Sequence, residues 1–264
     1  MTEHVLVFGV GYDIPARMRA LGETAGRKVT TSLMCWPEHL ARTDDTEEPG
    51  RIVVLRPDAS DEEWIALARA VDAVEPVTRI GCLSDDCRPQ AALVAQVLGL
   101  DSHTPEIVEL VMNDDEMRQR LADAGVEAVA SAVVEGLPVG ARYGVQAFSE
   151  RGEHVVVTVT RTNSDPVGPV GPGHAAPAPP EAVSRHVIAA LDALGVEFGP
   201  THTEVVLTER GPRVIETRLR AGGDELQNTV TDKTGADLIE AQLRQILGEK
   251  VLPGIRATRD GELP

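Results

Sequence analysis

Two patterns of hydrophobic and polar positions divide the chain. Over the first hundred residues, short apolar runs alternate with amphipathic stretches. His4–Val10, Lys28–Met34, Ile52–Leu55 and Thr78–Cys82 are brief and rich in branched residues, which suits buried strands. Between them, Ile14–Ala25 carries Pro15 at a helix-start position. Ser60-Asp61-Glu62-Glu63 has the form of a capping box and opens a helix to about Val74. Ala91–Leu98 is helical too. Strands alternating with helices predict an α/β fold with an open parallel sheet. Such sheets take ligands beyond the C-terminal ends of their strands, here Gly9–Asp13, Cys35–Glu38, Arg56–Asp58 and Leu83–Asp86. Gly9 and Gly11 fit the start of a dinucleotide fingerprint, but Ile14 breaks it, so this is read as a strand-to-helix turn.

After residue 100 the pattern changes. Thr104–Met112 and Asp114–Ala124 read as helices, the second capped by Asn113 with Glu116 placed to reach back. Strands are expected over Ala128–Val134, Arg142–Ser149 and His154–Thr162, with Arg151-Gly152 turning the last pair into a hairpin. Asn163–Pro180 is rich in Pro and Gly and reads as a long loop, either a binding loop or a linker. Glu181–Leu194 is a helix. His202–Gly223 (HTEVVLTERGPRVIETRLRAGG) is a second hairpin turning at Arg210-Gly211-Pro212. A short helix over Asp224–Thr231 and a longer one over Ala236–Leu247 follow, and the last dozen residues are expected to be loosely held.

Composition narrows the function classes. At 264 residues and 42% hydrophobic, the chain can build one large or two small cores, mostly from aliphatic residues because aromatics are only 3%. The net charge of −17 argues against non-specific nucleic-acid binding and against docking on anionic lipid. Cys35, Cys82 and Cys87 are an odd set with poor zinc spacing, so buried reduced thiols in a cytoplasmic protein are expected. No apolar run reaches the ~18 residues of a membrane span. The acidic run Asp44–Glu48 reads as a solvated loop.

Within the second hairpin, Glu204 and Glu216 lie near opposite ends in sequence, so folding brings them face to face. Two such carboxylates repel unless a cation or basic group stands between them. They are a candidate Mg²⁺ pair, because Mg²⁺ takes one or two carboxylates plus phosphate oxygens. On spacing alone, ordinary acids on a solvated hairpin are the commoner reading, because acidic pairs are frequent in a chain this acidic.

With these stretches laid out, the chain resembles the carboxylate–amine ligase branch of the ATP-grasp superfamily from about residue 5 to 248. The Glu204 strand and Glu216-Thr217-Arg218-Leu219-Arg220-Ala221-Gly222-Gly223 resemble the family's Glu-x-Asn-x-Arg-x-Gly-Gly element. Residues 91–126 resemble its helical linker, and 143–162 the strand pair after its hinge. Gly173-His174 with Pro177 is similar to its Gly-His-x-x-Pro loop, and Thr234–Leu238 to its Thr-Gly-x-Asp-Leu helix start. The resemblance implies an N-terminal open parallel sheet (1–100, pre-ATP-grasp-like) and a helical linker (101–127). It then implies an incomplete ATP-grasp α+β domain with antiparallel strands (128–250) and a tail (251–264). It also implies ATP-driven activation of a carboxylate. Glu204 and Glu216 would be metal ligands. Arg220, Gly173, His174, Gly222 and Gly223 would face substrate. His174, Arg218 and Arg220 would take part in the chemistry, and Glu135 would be a remnant of the hinge acid that holds the nucleotide.

The departures fall on the nucleotide side. The family inserts a subdomain carrying two ATP-contacting lysines and a glycine-rich flap. This chain passes from Gly125-Val126 almost directly to Ala128, with no lysine between Lys28 and Lys233. Arg218 stands where the Asn ligand is expected, and a guanidinium cannot ligate Mg²⁺. The sequence therefore leads to a truncated, degenerate ATP-grasp protein. It would bind or transform a small carboxylate or amino-acid-like molecule without efficient ATP use. Two alternatives stand beside it. One is an active ligase with a minimised lid, which alone would need Mg²⁺ and ATP. The other is a non-catalytic partner of a full-length ligase, or a homodimer joined through the sheet that the missing subdomain leaves open.

Overall fold

A computed structural model of the protein describes residues 2–9, 13–40, 50–130, 140–162 and 181–259. They form two units: residues 1–108 with 242–250, and residues 109–241 with 251–264.

The first unit is built on a four-stranded parallel sheet in the order β3-β2-β1-β4. Its strands are β1 (Thr2–Phe8), β2 (Lys28–Cys35), β3 (Arg51–Val54) and β4 (Arg79–Cys82), close to the apolar runs of the sequence. β1 stops at Phe8 because Gly9 takes a φ of 73°, a turn conformation open to glycine. The connecting helices are α1 (Ile14–Thr24), the single turn α2 (Pro37–Leu40), α3 (Asp61–Val74) and α4 (Arg88–Leu98). The Ser60–Glu63 capping box forms as expected. Parallel strands are covered on both faces, hence their near-continuous apolar runs. Leu6, Phe8, Met34, Trp64, Ile80 and Ala91 share the core, with Trp64 stacked on Phe8 at 5.9 Å. Residues 242–250 close this unit. Arg27 binds the Leu247 carbonyl at 2.8 Å and Glu249 at 2.6 Å, and Gln242 donates to the Cys82 carbonyl at 3.2 Å.

α5 (Pro105–Met112) leads into the second unit, where α6 (Asp114–Asp123) is capped by Asn113 accepting from the amides of Asp115 and Glu116. An antiparallel sheet in the order β6-β5-β7-β8 follows, from β5 (Ala141–Glu150), β6 (Glu153–Thr162), β7 (Phe198–Thr208) and β8 (Gly211–Arg218). α7 (Glu181–Leu194) lies between β6 and β7 in sequence and packs on the sheet through buried Val183, Val187, Ala190, Leu191 and Leu194. α8 (Asp224–Thr234) and α9 (Leu238–Ile246) come next.

Two expectations are corrected. The described part of the expected strand Ala128–Val134 makes a single parallel bridge, Ala128 to Val214, so it buttresses β8 rather than joining the sheet as a strand. The described part of the expected loose tail is a helix, α10 (Leu252–Arg259), held by buried Val251, Leu252 and Ile255 and by Glu150 accepting from the Val251 amide at 2.9 Å. The single turn α2 was not anticipated. Gly173, His174, Glu135, the Asn163–Pro180 loop and the Asp44–Glu48 run lie outside the described residues.

Candidate functional site

The register of the antiparallel sheet lines up two rows of side chains on one face. Thr160, Gly144, Glu204 and Glu216 make one row, and Thr158, Gln146, His202 and Arg218 the next. Alternate residues of a strand share a face, so polar residues two apart along β5, β7 and β8 meet across strands. A bulge in the β7–β8 pairing, next to Glu204, takes up an extra residue of β8 and keeps Glu216 opposite Glu204. Beside this row, Val129 packs with Val206 and Ile215.

His202 is the organising residue of the face. A Cβ on Gly144 would stand 3.1 Å from its Cε1, so glycine at 144 lets the imidazole lie close over β5. The Gly222 amide is 3.1 Å from one end of the Gln146 side chain, and His202 Nδ1 is 2.6 Å from the other. Gly222 N–H can only donate, so the first Gln146 atom is the carbonyl oxygen and the second is the amide nitrogen. Gln146 therefore donates to Nδ1. In the neutral imidazole the proton then sits on Nε2, which faces Glu204 Oε1 at 3.9 Å. The Glu204 carboxyl is held below the usual carboxylate range by His202 first, and by the charges of Arg142 and Arg218, against the effect of its burial.

Glu216 has a different neighbour. Its Oε2 accepts from Arg218 Nη2 at 2.9 Å. Arg220 Nη1 donates to the Ala221 carbonyl at 3.0 Å. Gly222 is used on both sides, its amide by Gln146 and its carbonyl by Gln227 Nε2 at 3.2 Å. Gly223 is the N-cap of α8. On the opposite face Thr203 and Thr217 share a hydrogen bond at 3.3 Å in full burial.

The structure thus brings Glu204, Glu216 and Arg218 together, and places Arg220, Gly222 and Gly223 just beyond β8. Sequence reasoning missed Gln146, His202 and Arg142. The signal was present as polar residues at alternate positions of two strands, but it needs the β5–β7 register to become a site. Among the described residues, no group of three or more His, Cys, Asp or Glu side chains is placed to hold a metal ion. A cavity of about 500 Å³ in this unit is lined by Arg118 and Gln119 of α6 and by Glu127, Val129 and Ala130 after it.

The fold, a four-stranded parallel sheet and a separate four-stranded antiparallel sheet, is shared with solved structures. L-amino acid ligase from Bacillus licheniformis matches with a TM-score of 0.76 and 18% identity, over 93% of this chain and 74% of that one. Phosphoribosylglycinamide synthetase from Anaerococcus prevotii matches at 0.70 and 12% identity, over 96% and 77%. The biotin carboxylase–β,γ-ATP complex from Campylobacter jejuni matches at 0.64 and 12%, over 93% and 71%.

The chain has the ATP-grasp fold.

No family model and no curated protein matches the sequence, so the likeness is one of ATP-grasp architecture. The same ATP-grasp architecture occurs inside longer chains, such as a multi-domain long-chain acyl-CoA carboxylase, of which this protein covers 29%. Among the described residues, no helix is long and apolar enough to cross a membrane.

Proposed function

We propose that this ATP-grasp protein is a carboxylate–amine ligase-like binding protein with a degenerate nucleotide site. It takes a small carboxylate or amino-acid-like ligand without efficient use of Mg-ATP. The observation that carries this reading is the 2.9 Å contact between Arg218 and Glu216, directly across from Glu204. Mg²⁺ would need oxygen ligands from this pair. One Glu216 oxygen already accepts from a guanidinium, and Glu204 already feels His202, Arg142 and Arg218. A dication placed between the two carboxylates would face positive charge that the protein itself supplies. The residues present do not fit Mg²⁺.

What the face offers instead is recognition. Arg218 and Arg220 supply charged donors of the kind that bind a carboxylate bidentately. Glu204, ionised and backed by His202, suits an ammonium group. An amino-acid-like ligand presents both charges. The L-amino acid ligase likeness supports the same ligand class, and the absence of lysine between residues 28 and 233 supports weak phosphate binding.

Titration calorimetry with Mg-ATP tests the reading, with no saturable heat expected at micromolar nucleotide. Arg218→Asn, which frees Glu216 and adds an oxygen ligand, is expected to gain Mn²⁺ binding measurable by electron paramagnetic resonance. Micromolar Mg-ATP binding by the unaltered protein, with phosphate released in the presence of amino acids, would establish an active ligase and overturn the proposal.

A further inference from the structure

The first unit holds an unexplained buried charge. Arg88, the first residue of α4, is only 4% exposed, yet its Nε and Nη2 have no hydrogen-bond partner. Among the described residues the acid paired with it is Asp85, which stands 3.5 Å from Nε. Leaving two buried guanidinium nitrogens without a hydrogen bond is costly, and such a group in a native structure calls for an explanation. Four residues earlier, the Ser84 hydroxyl is also buried without a partner.

Both residues lie at a particular place in the sheet. With the order β3-β2-β1-β4, the chain runs from β1 towards β2 and β3 on one side, and β4 sits on the other side of β1. The C-terminal ends of β1 and β4 therefore flank the topological switch point, where open α/β sheets leave a crevice. Gly9 follows β1 there, and a Cβ on it would come 2.9 Å from Ser84 Oγ and 3.8 Å from Cys87 Sγ. Ser84 is thus packed against the end of β1, so closely that a side chain at residue 9 would crowd its hydroxyl. The charge of Arg88 acts on the Cys82 thiol at the end of β4, which puts the guanidinium at the same edge.

We propose that the crevice beyond β1 and β4 is a binding site for the carboxylate group of a small molecule, held by the Arg88 guanidinium and the Ser84 hydroxyl. Carboxylate is favoured over phosphate for two reasons. Phosphate sites at helix ends use a row of free amides, but the Arg88 amide is given to the Asp85 carbonyl at 3.1 Å and Pro89 has none. Asp85 and Asp86 also stand beside the site and oppose a dianion more than a monoanion. A planar carboxylate needs only the guanidinium fork and one hydroxyl. This site is independent of the Glu204 face and of how that face treats nucleotide.

The test follows the arginine Nε–Hε resonances of the ¹⁵N-labelled full chain by NMR during titration with sodium acetate and, separately, with inorganic phosphate at fixed ionic strength. The Arg88 resonance is expected to shift saturably with acetate, and the Arg118 resonance to stay in place. Ser84→Ala should weaken acetate binding several-fold, and Arg88→Lys by ~10-fold, because an ammonium cannot make the two parallel bonds. An Arg88 resonance that does not saturate with acetate overturns the proposal. So does phosphate binding more tightly than acetate, or an acetate affinity unchanged in Ser84→Ala. The titration of the unaltered protein and of Ser84→Ala decides the matter even if Arg88→Lys does not fold.

Discussion

At the scale of single residues, the candidate site turns on which atoms can donate. Gly222 N–H fixes the orientation of Gln146, Gln146 fixes the tautomer of His202, and His202 then presents Nε2–H to Glu204. Nitrogen chemical shifts of His202 in the neutral imidazole are expected to show the proton on Nε2. Gln146→Glu should reverse this, because a carboxylate accepts from both Gly222 and the ring and so draws the proton to Nδ1. An unchanged tautomer in that variant would mean that Gln146 does not set it. The sequence displayed the acids and arginines of this face but not their pairing. Glu204 and Glu216 were visible as acids near opposite ends of one hairpin, but the turn register alone would set Ile215 opposite Glu204, and the bulge that brings Glu216 there is not written in the sequence. Arg218 beside Glu216 followed from the i, i+2 rule of a strand. Gln146 and His202 come from strands 56 residues apart, and no local pattern announces their contact.

At the scale of elements, legibility tracked local determinants. α3 and α6 begin where their caps are written, at Ser60 and Asn113, because capping is a contact between residues two or three apart. Asn113→Ala is expected to lower stability by ~1 kcal/mol in chemical denaturation, with the far-ultraviolet dichroism of the native state nearly unchanged. The bridge at Ala128 was harder to read. Residues 128–130 look like the start of a strand by composition, but a strand needs a partner along its length, and here only Val214 provides one. α10 was missed for the converse reason. Its sequence LPGIRATR has a Gly and few apolar residues, and it is fixed by burial of Leu252 and Ile255 and by the Glu153–Arg256 contact at 3.0 Å, which are tertiary.

At the scale of the whole molecule, stability depends on a buried histidine away from the candidate site. His154 is 2% exposed at its side chain, bonds Ser149 Oγ at 2.8 Å and faces Asp192 at 3.3 Å. Burial lowers its pKa below the ordinary 6.5, and the neighbouring Asp192 only partly offsets this. The unfolded chain therefore takes up the proton first, and stability falls as pH drops through 6.5 towards the lower folded value. Denaturant titrations between pH 8 and 5 are expected to show this loss, and His154→Gln should flatten it. An equal slope in both proteins would assign the loss to other groups. The two units also divide the chain unevenly. The first is completed by residues 242–250, which bring Glu249 to Arg27 and Gln242 to the Cys82 carbonyl. On the ribosome, its opening 108 residues are made first and then wait for that closing segment while the intervening 133 residues, 109 to 241, are added. At ordinary elongation rates the wait is ~7–27 s. For that time the nascent parallel sheet stands without its clasp, and its edges are open to chaperones or to other nascent chains.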